Sequence, residues 1–161
     1  YVGHLAEWPV ATEGGWMSGD ALLVTSREAA RYDFGSEHPM RAVRTDLTLS
    51  LATELGVLDR PAWRRLDAPA ATSAELALVH ADAYVALVGA AARVPARILA
   101  SVGLGPGDTP VFPGIDQAAR AVAGGSLAAA RAVWEGEAVH ALNLSGGLHH
   151  AMAGHASGFC V

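Results

Sequence analysis

The sequence has 161 residues, of which 52% are hydrophobic and 17% are charged, and its formal net charge is −5. This composition is typical of a globular domain and excludes a disordered or fibrous chain. The negative charge, with no concentration of Lys and Arg, predicts no nucleic-acid partner, and without a run of about 18 apolar residues no membrane span is expected. The single cysteine, Cys160, fits a reducing cytoplasm, which is therefore the predicted location.

The first half of the chain predicts a leader, a strand and a helix. Residues 1–20 have no clear period and contain several glycines, so they are expected to be a poorly defined leader. The apolar run 21–25 suits a buried strand. Pro39 stands where a helix can begin, and Gly56 is a plausible stop. The apolar positions between them repeat every four residues and predict an amphipathic helix: Val43, Leu47, Leu51 and Leu55.

The second half predicts two more helices and a second strand. Thr72 to Glu75 reads as a capping box at the start of a helix, whose apolar face would carry Leu76, Val79, Ala83 and Leu87. A third helix is expected over 115–134, where Gly124-Gly125 indicates close backbone packing or a break. Residues 138–144 suit a second strand. Strands separated by helices predict an α/β fold with a parallel sheet, whose ligands collect at the carboxyl ends of the strands.

The last residues of the chain suggest that the domain is present only in part. Residues 158–161 resemble the entry to a further strand, and a parallel sheet with two strand candidates is too small to close a core well. The expected organisation is a leader over 1–20 followed by the N-terminal part of one domain over 21–161.

Two adjacent histidines carry the clearest chemical signal. His149 and His150 follow Gly146-Gly147 at the end of the second predicted strand. Imidazole titrates near neutral pH, so such a pair can relay protons beside an activated water; the alternative is a solvated or packed pair. A zinc site that also uses His155 is disfavoured, because neighbouring residues in an extended segment point to opposite faces.

Three other side chains have a functional and an ordinary interpretation, and Cys160 has an ordinary one. Asp108, in a Gly/Pro-rich loop, could accept hydrogen bonds from a peptide backbone or could form a local turn. Phe159 could line a tube for an aliphatic chain or could be a core aromatic. Arg44, beside the apolar stripe, would need a polar channel if it points inward and is otherwise solvated. Cys160 is expected to be a small buried hydrophobe.

An ordered set of motifs points to a known family. The segments are Tyr32-Asp33-Phe34-Gly35 with His38-Pro39-Met40-Arg41, Val79-His80 with Tyr84-Val85, Gly107-Asp108-Thr109-Pro110-Val111-Phe112-Pro113-Gly114, Gly124-Gly125-Ser126-Leu127, Gly146-Gly147-Leu148-His149-His150 and Ser157-Gly158-Phe159-Cys160. In this order they resemble the histone deacetylase family, above all its bacterial acetoin-utilisation branch. The resemblance implies a three-layer arginase/deacetylase α/β fold, present here in part, with a metal at the strand ends and a narrow tunnel for an acyl-lysine side chain.

The resemblance also implies a role for individual residues. His149 and His150 match the tandem histidines, one a general base on the metal-bound water and the other a general acid or electrostatic partner. Asp108 matches the rim aspartate that holds the substrate backbone. Gly158 and Phe159 match one wall of the tunnel. Arg44 matches the arginine of an internal acetate-exit channel.

The resemblance implies that the metal is zinc, or iron in some sites. Its ligands, two aspartates and a histidine, follow the Gly-Phe-Cys segment in the family, as does a tyrosine that polarises the substrate carbonyl. They are therefore expected beyond Val161, and these 161 residues alone are expected to be inactive.

Three readings of the function remain open at the level of sequence. The first is a zinc-dependent deacetylase that hydrolyses N-acetyl-lysine in an acetylated protein, with a small acetylated amine, as in acetylpolyamine amidohydrolases, as the rival substrate. The second is a non-catalytic acyl-lysine-binding module. The third is a fragment with no independent role, which predicts exposed apolar strand edges.

Overall fold

A computed structural model describes residues 21–161 and shows an α/β arrangement. The expected leader, 1–20, lies outside the described residues. The elements in chain order are β1 (Ala21–Thr25), α1 (Val43–Glu54), β2 (Trp63–Asp67), α2 (Ser73–Leu76), α3 (Asp82–Gly89), α4 (Ala96–Ser101), α5 (Ile115–Trp134) and β3 (His140–Asn143), with short 3-10 turns at Ala29–Arg31 and Ala91–Arg93.

The sheet is parallel and has the strand order β2-β1-β3. β1 lies at the centre, and its apolar residues Leu22, Leu23 and Val24 are buried, as expected for a strand covered on both faces. The strands predicted over 21–25 and 138–144 are thus confirmed, the second as the shorter 140–143.

β2 adds a third strand, which the sequence did not predict. Its sequence Trp-Arg-Arg-Leu-Asp contains no apolar run, and all but its first residue are exposed. β2 lies at the edge of the described sheet, where charged residues are common and apolar alternation is not required. Hydrogen bonding to β1 therefore makes this segment a strand, although its own residues do not predict one.

The predicted helix over 115–134 is confirmed as α5, which packs across β1 and β3. Its buried face consists largely of small residues: Ile115, Ala118, Ala121, Val122, Gly124, Gly125 and Ala132. A Cβ at Gly124 would overlap the carbonyl oxygen of Pro69. The glycine pair therefore marks close backbone packing and does not break the helix.

The second predicted helix is interrupted. The capping box at Thr72 and Glu75 is present and starts α2, but that helix ends at Leu76, and α3 begins only at Asp82. Ala81 is extended, and its amide donates a hydrogen bond to the Ala153 carbonyl, 2.8 Å away. A contact distant in sequence thus breaks the helix, and Val79, expected on its buried face, is 70% exposed.

α1 forms where the four-residue repeat predicts it, although Pro39 precedes the helix and does not begin it. None of its residues is buried. Leu47, Leu51 and Leu55 are each 60% exposed or more, so no part of residues 21–161 covers the apolar stripe. The expected amphipathic packing is therefore not seen in the described chain.

Across residues 21–161, no helix combines the length and the apolarity that a bilayer span requires.

Candidate functional site

The loop that carries the tandem histidines follows directly from the carboxyl end of β3 and is positioned by Asn143. The Asn143 amide nitrogen donates to the carbonyl of Val122, 3.3 Å away, and to the Ser126 hydroxyl, 3.1 Å away, both on α5. Its side-chain oxygen accepts from the backbone amide of Ser145 at 3.2 Å. One side chain thus connects the strand, the helix and the second residue of the loop.

Two glycines make room for that side chain. A Cβ at Gly125, on α5, or at Gly146, in the loop, would lie 2.9 Å from the Asn143 amide nitrogen. Such a contact is shorter than van der Waals packing permits. The glycines of both motifs therefore create the notch that holds Asn143.

His149 and His150 lie side by side at the far end of this loop. Their ring centroids are 4.2 Å apart, with an interplanar angle of 38°, and both side chains are exposed. Nδ1 of His149 lies 2.8 Å from the Gly147 carbonyl oxygen. Because a carbonyl only accepts, a neutral His149 carries its proton on Nδ1, which leaves the lone pair of Nε2 free to take up a proton. An imidazole nitrogen with a free lone pair is a group that can take up a proton during catalysis.

Gly158 and Phe159 form a turn against the second histidine. A Cβ at Gly158, whose φ is +51°, would lie 3.0 Å from Cγ and Cδ2 of His150. Phe159 has a φ of +56° and is the non-glycine residue with a positive φ among residues 21–161. This conformation is costly for an L side chain and is found where the surroundings enforce it, often at functional sites.

Tyr32 is the residue that holds this turn from the other side. Its hydroxyl donates a 2.7 Å hydrogen bond to the Phe159 carbonyl oxygen. The ring is 3% exposed and packs edge-on against Phe34 and Phe112, with centroid distances of 5.4 and 5.7 Å. Burial raises the pKa of the Tyr32 hydroxyl well above its usual range. The phenol therefore stays protonated and remains a donor across the physiological pH range.

Asp108 lies at the exposed tip of its loop. An antiparallel bridge closes the loop, with the amide of Gly105 2.9 Å from the carbonyl oxygen of Thr109. Within residues 21–161 the Asp108 carboxylate makes no hydrogen bond or ion pair, so it does not form the local turn that was the ordinary alternative. Its backbone carbonyl instead lies 3.2 Å from Nε2 of His38.

Arg44 and Phe159 line the same cleft of about 340 Å³, between the start of α1 and the loop after β3. Gly146, Gly147 and Leu148 contribute its opposite wall. Arg44 itself is exposed, and its guanidinium contacts the Met40 sulfur at 3.6 Å. The histidine pair and Asp108 do not line this cleft.

The structure therefore connects the sequence-predicted residues through Phe159 and its neighbours. Phe159 shares the cleft with Arg44, Gly158 packs on His150, and the His38 ring connects Phe159 with the Asp108 loop. Cys160 is buried, as expected. His155 is exposed, and its ring lies over Gly103.

Three positioning residues escaped the sequence interpretation: Tyr32, His38 and Asn143. Tyr32 and His38 belong to segments that were noted as motifs, but their partners are 127 and 70 residues away along the chain. For Asn143 the sequence predicts only a place in the strand 138–144. The available signal was a polar residue at a strand end just before a glycine-rich loop, since strand ends are where such sheets place functional groups.

No group of three or more His, Cys, Asp or Glu side chains that could hold a metal ion occurs within residues 21–161. The residues described here thus do not by themselves provide the ligand set of a zinc site, which takes at least three protein ligands.

Comparison with known proteins identifies the family. A model of the histone deacetylase domain matches residues 38–161. The acetoin utilization protein AcuC of Bacillus subtilis (strain 168) is 42% identical over 146 residues, which cover 88% of this chain and 37% of that protein. Histone deacetylase 3 of Oryza sativa subsp. japonica is 36% identical over 137 residues, covering 83% of this chain and 27% of that protein.

A second AcuC, from Staphylococcus xylosus, is 32% identical over 140 residues, covering 86% of this chain and 36% of that protein. The chain thus spans little more than a third of the length of these bacterial relatives. The parallel sheet with α5 across it is the α/β arrangement of the arginase/deacetylase fold. With the family model covering most of its residues, the chain belongs to the histone deacetylase family.

Proposed function

We propose that the whole protein is a metal-dependent deacetylase that hydrolyses N-acetyl-lysine to free lysine and acetate, with His149 and His150 as its proton relay. The observation that carries the proposal is the histidine pair itself, with rings 4.2 Å apart at the carboxyl end of a parallel strand and His150 packed on Gly158. In open α/β sheets this edge is where ligands bind. A cytoplasmic location remains a prediction of the sequence.

The two histidines would divide the proton transfers of amide hydrolysis between them. The Nε2 atom of one ring takes a proton from the water that attacks the acetyl carbonyl carbon, and the other ring gives a proton to the leaving amine nitrogen. The bond between carbonyl carbon and nitrogen then breaks, releasing acetate and the amine. The hydrogen bond from His149 Nδ1 to Gly147 leaves its Nε2 free and favours His149 as the base.

Zinc, which the family generally uses, stays a prediction for the whole protein. It would supply an activated water and polarise the carbonyl. Since residues 21–161 gather no set of three ligands, its ligands would have to come from elsewhere in the protein.

Phe159 and Arg44 fit the same reaction. The aromatic ring would line the path of the aliphatic lysine chain, and the cleft of about 340 Å³ behind it has room for an acetate ion beside the Arg44 guanidinium. A guanidinium is suited to a carboxylate because it presents several N–H donors in a planar fork. We therefore propose this cleft as the acetate channel.

Asp108 supports an acetylated peptide or protein as the substrate rather than a small acetylated amine. Its carboxylate is exposed at a loop tip and has no hydrogen-bond partner in the described chain, so it is available to accept from backbone amides. A polyamine has no peptide backbone, and Asp108 would then have no such partner.

The test uses the protein expressed from its complete reading frame, supplied with zinc, and measures acetate release from an acetyl-lysine peptide. We expect His149→Ala and His150→Ala each to lower kcat by about 10²- to 10⁴-fold, the usual contribution of acid–base catalysis. His140→Ala is the matched control, because His140 is an exposed histidine on β3, outside the loop that carries the pair. Binding of the peptide without acetate release would instead indicate the non-catalytic module.

A further inference from the structure

His38 is half-buried between two walls of the candidate site. Its ring centroid lies 4.6 Å from that of Phe34 and 5.9 Å from that of Phe159, which it meets nearly at right angles. Nε2 lies 3.2 Å from the Asp108 carbonyl oxygen. One imidazole thus contacts both the tunnel-wall residue and the backbone of the rim residue.

The surroundings of His38 fix which ring nitrogen carries the proton. The backbone amide of Met40 donates a 3.0 Å hydrogen bond to Nδ1, so Nδ1 must offer its lone pair. In the neutral ring the proton then resides on Nε2, where it is donated to the Asp108 carbonyl. Each nitrogen has a partner of the correct type, and the ring orientation is determined by both.

The segment that carries His38 is itself closed by Asp33. One carboxylate oxygen of Asp33 accepts from the Gly35 amide at 2.7 Å, and the other accepts from the Ala42 amide at 3.1 Å. The two bonds span the segment on either side of His38. The loop that carries the His38 imidazole is therefore held in place by these two hydrogen bonds.

The Asp108 loop, by contrast, is closed by a bridge at its base, while its tip is exposed. Thr109 is buried and bridged to Gly105, but the tip formed by Gly107 and Asp108 is exposed, and Gly107 has a φ of +110°. The hydrogen bond from His38 joins the tip to another segment of the described chain.

We propose that His38 is a positioning residue that holds the Asp108 loop beside Phe159, so that peptide-backbone recognition by Asp108 depends on His38. The inference rests on the proposed function and specifies how that site selects peptides. His38 itself would touch neither the acetyl group nor the reacting water. Its loss should weaken the binding of substrates that have a backbone and leave the proton relay intact.

The experiment compares two substrates: an acetyl-lysine peptide and an acetylated alkylamine without backbone amides. His38→Phe keeps the ring packing and removes both hydrogen bonds, and we expect it to raise KM for the peptide about five- to tenfold, the value of one or two hydrogen bonds. Its kcat, and both constants for the alkylamine, should stay near wild type. His38→Gln retains an N–H donor and should restore part of the peptide affinity.

A double mutant distinguishes a positioning role of His38 from a general loss of structure. In an Asp108→Ala background, His38→Phe should add little further loss for the peptide, because residues that act through one another are not additive. Additive losses, or equal losses for both substrates, would overturn the inference. His140→Phe is the control for replacing an exposed histidine.

A second measurement does not depend on catalysis. Long-range ¹⁵N spectra of the histidine rings should show His38 with its proton on Nε2, and amide exchange at residues 106–108 should accelerate in His38→Phe. Failure of the wild type to hydrolyse either substrate would refute the proposed function alone. An Nδ1–H tautomer, or unchanged exchange at the loop tip, would refute the role of His38.

Discussion

Two buried tyrosines differ in what their hydroxyl groups contact. Tyr32 donates to the Phe159 carbonyl, whereas the hydroxyl of Tyr84 is buried without a hydrogen-bond partner in the described chain. Burial raises the pKa of both groups, that of Tyr84 to about 12. The pair therefore allows the contribution of one hydrogen bond to be measured against a matched residue.

We expect Tyr32→Phe to lower the free energy of unfolding by about 1 kcal/mol, because it leaves the Phe159 carbonyl without its donor. Tyr84→Phe should leave the stability unchanged or raise it, since it removes an unpaired hydroxyl. Urea unfolding at neutral pH measures both. An equal loss in the two variants would contradict a specific role for the Tyr32 bond.

The same tyrosines give the protein a dependence on alkaline pH. For a folded-state pKa raised above the unfolded value of 10.0, the associated stability is fully present below pH 10 and is lost as the pH rises further. Tyr84→Phe should therefore make the loss of stability above pH 10 less steep. The check is a series of urea midpoints from pH 8 to the alkaline limit of reversible unfolding.

At this scale the sequence supplied candidate residues, whereas the contacts that hold them in place are seen in the structure. The histidine pair and the Gly-Phe-Cys segment are local patterns, and their residue types allow a proton relay or a solvated pair, and a tunnel wall or a core aromatic, without reference to the fold. The contacts of Tyr32 and His38 join residues 127 and 70 positions apart. Such contacts are set by the packing of whole segments and cannot be derived from neighbours in the chain.

At the scale of elements, α5 depends on a residue with poor helix propensity. Alanine is favoured over glycine by about 1 kcal/mol in a helix interior. A methyl group at Gly124 would nevertheless collide with backbone atoms of residues 69–71. The collision is with backbone atoms, which cannot rotate away as a side chain can. Its energetic cost should therefore outweigh the gain in helix propensity that alanine brings.

We therefore expect Gly124→Ala to destabilise the protein by roughly 1–3 kcal/mol, the range of overpacking in a closely packed interior. Gly89→Ala is the matched control, because it lies at the end of α3 and its Cβ would be 3.9 Å from the nearest side chain. That variant should be neutral or slightly more stable. Thermal unfolding compares the two, and a stabilised Gly124→Ala would show that the helix can move away from the segment before it.

Glu75 connects the start of α2 with α5. The Thr72 backbone amide and hydroxyl donate to its carboxylate and, with the Arg131 guanidinium, lower the pKa of Glu75. A lowered folded-state pKa gives stability that is present above the unfolded pKa of 4.5 and is lost as the pH falls through the folded value. The capping box should therefore weaken in acid.

Glu75→Gln tests this dependence. The variant should lose stability at neutral pH and should show a smaller further loss than wild type when the pH is lowered below 4.5. Glu137→Gln is the control, because its exposed carboxylate has no hydrogen-bond partner among residues 21–161. Parallel curves for wild type and Glu75→Gln would rule out the carboxylate as the acid-sensitive group.

The elements that the sequence predicted well are those whose signal is contained in the segment itself. β1 has its apolar run and α5 has a long run of helix formers, and both were predicted with their correct bounds. β2 owes its conformation to hydrogen bonds with β1, and the gap between α2 and α3 owes its conformation to the Ala81–Ala153 bond. Those two features required the tertiary structure.

At the scale of the whole molecule, the chain is shorter than its relatives, and its described part exposes apolar residues. The chain covers 37% of the Bacillus subtilis AcuC, and the apolar residues of α1 are exposed in it. Patches of this kind mark interaction surfaces or promote self-association.

We predict that the 161-residue chain by itself neither binds zinc stoichiometrically nor releases acetate from an acetyl-lysine peptide. The described part of it gathers no three ligands, and a catalytic zinc needs three from the protein. Elemental analysis after dialysis measures the bound metal, and the protein from the complete reading frame is the positive control. One equivalent of zinc retained by the 161-residue chain would contradict the prediction.

The hydrogen bonds of Asn143 have a consequence for the motion of the loop that follows β3. A surface loop with exposed side chains ordinarily moves on its own, on the nanosecond-to-microsecond timescale. Here Ser145, the second residue of the loop, is connected to β3 and α5 by the Asn143 side chain, which lies in a notch between two glycines. His149 and His150, although exposed to solvent, should therefore move with the core helix, and their spacing should be as constant as the packing beneath them.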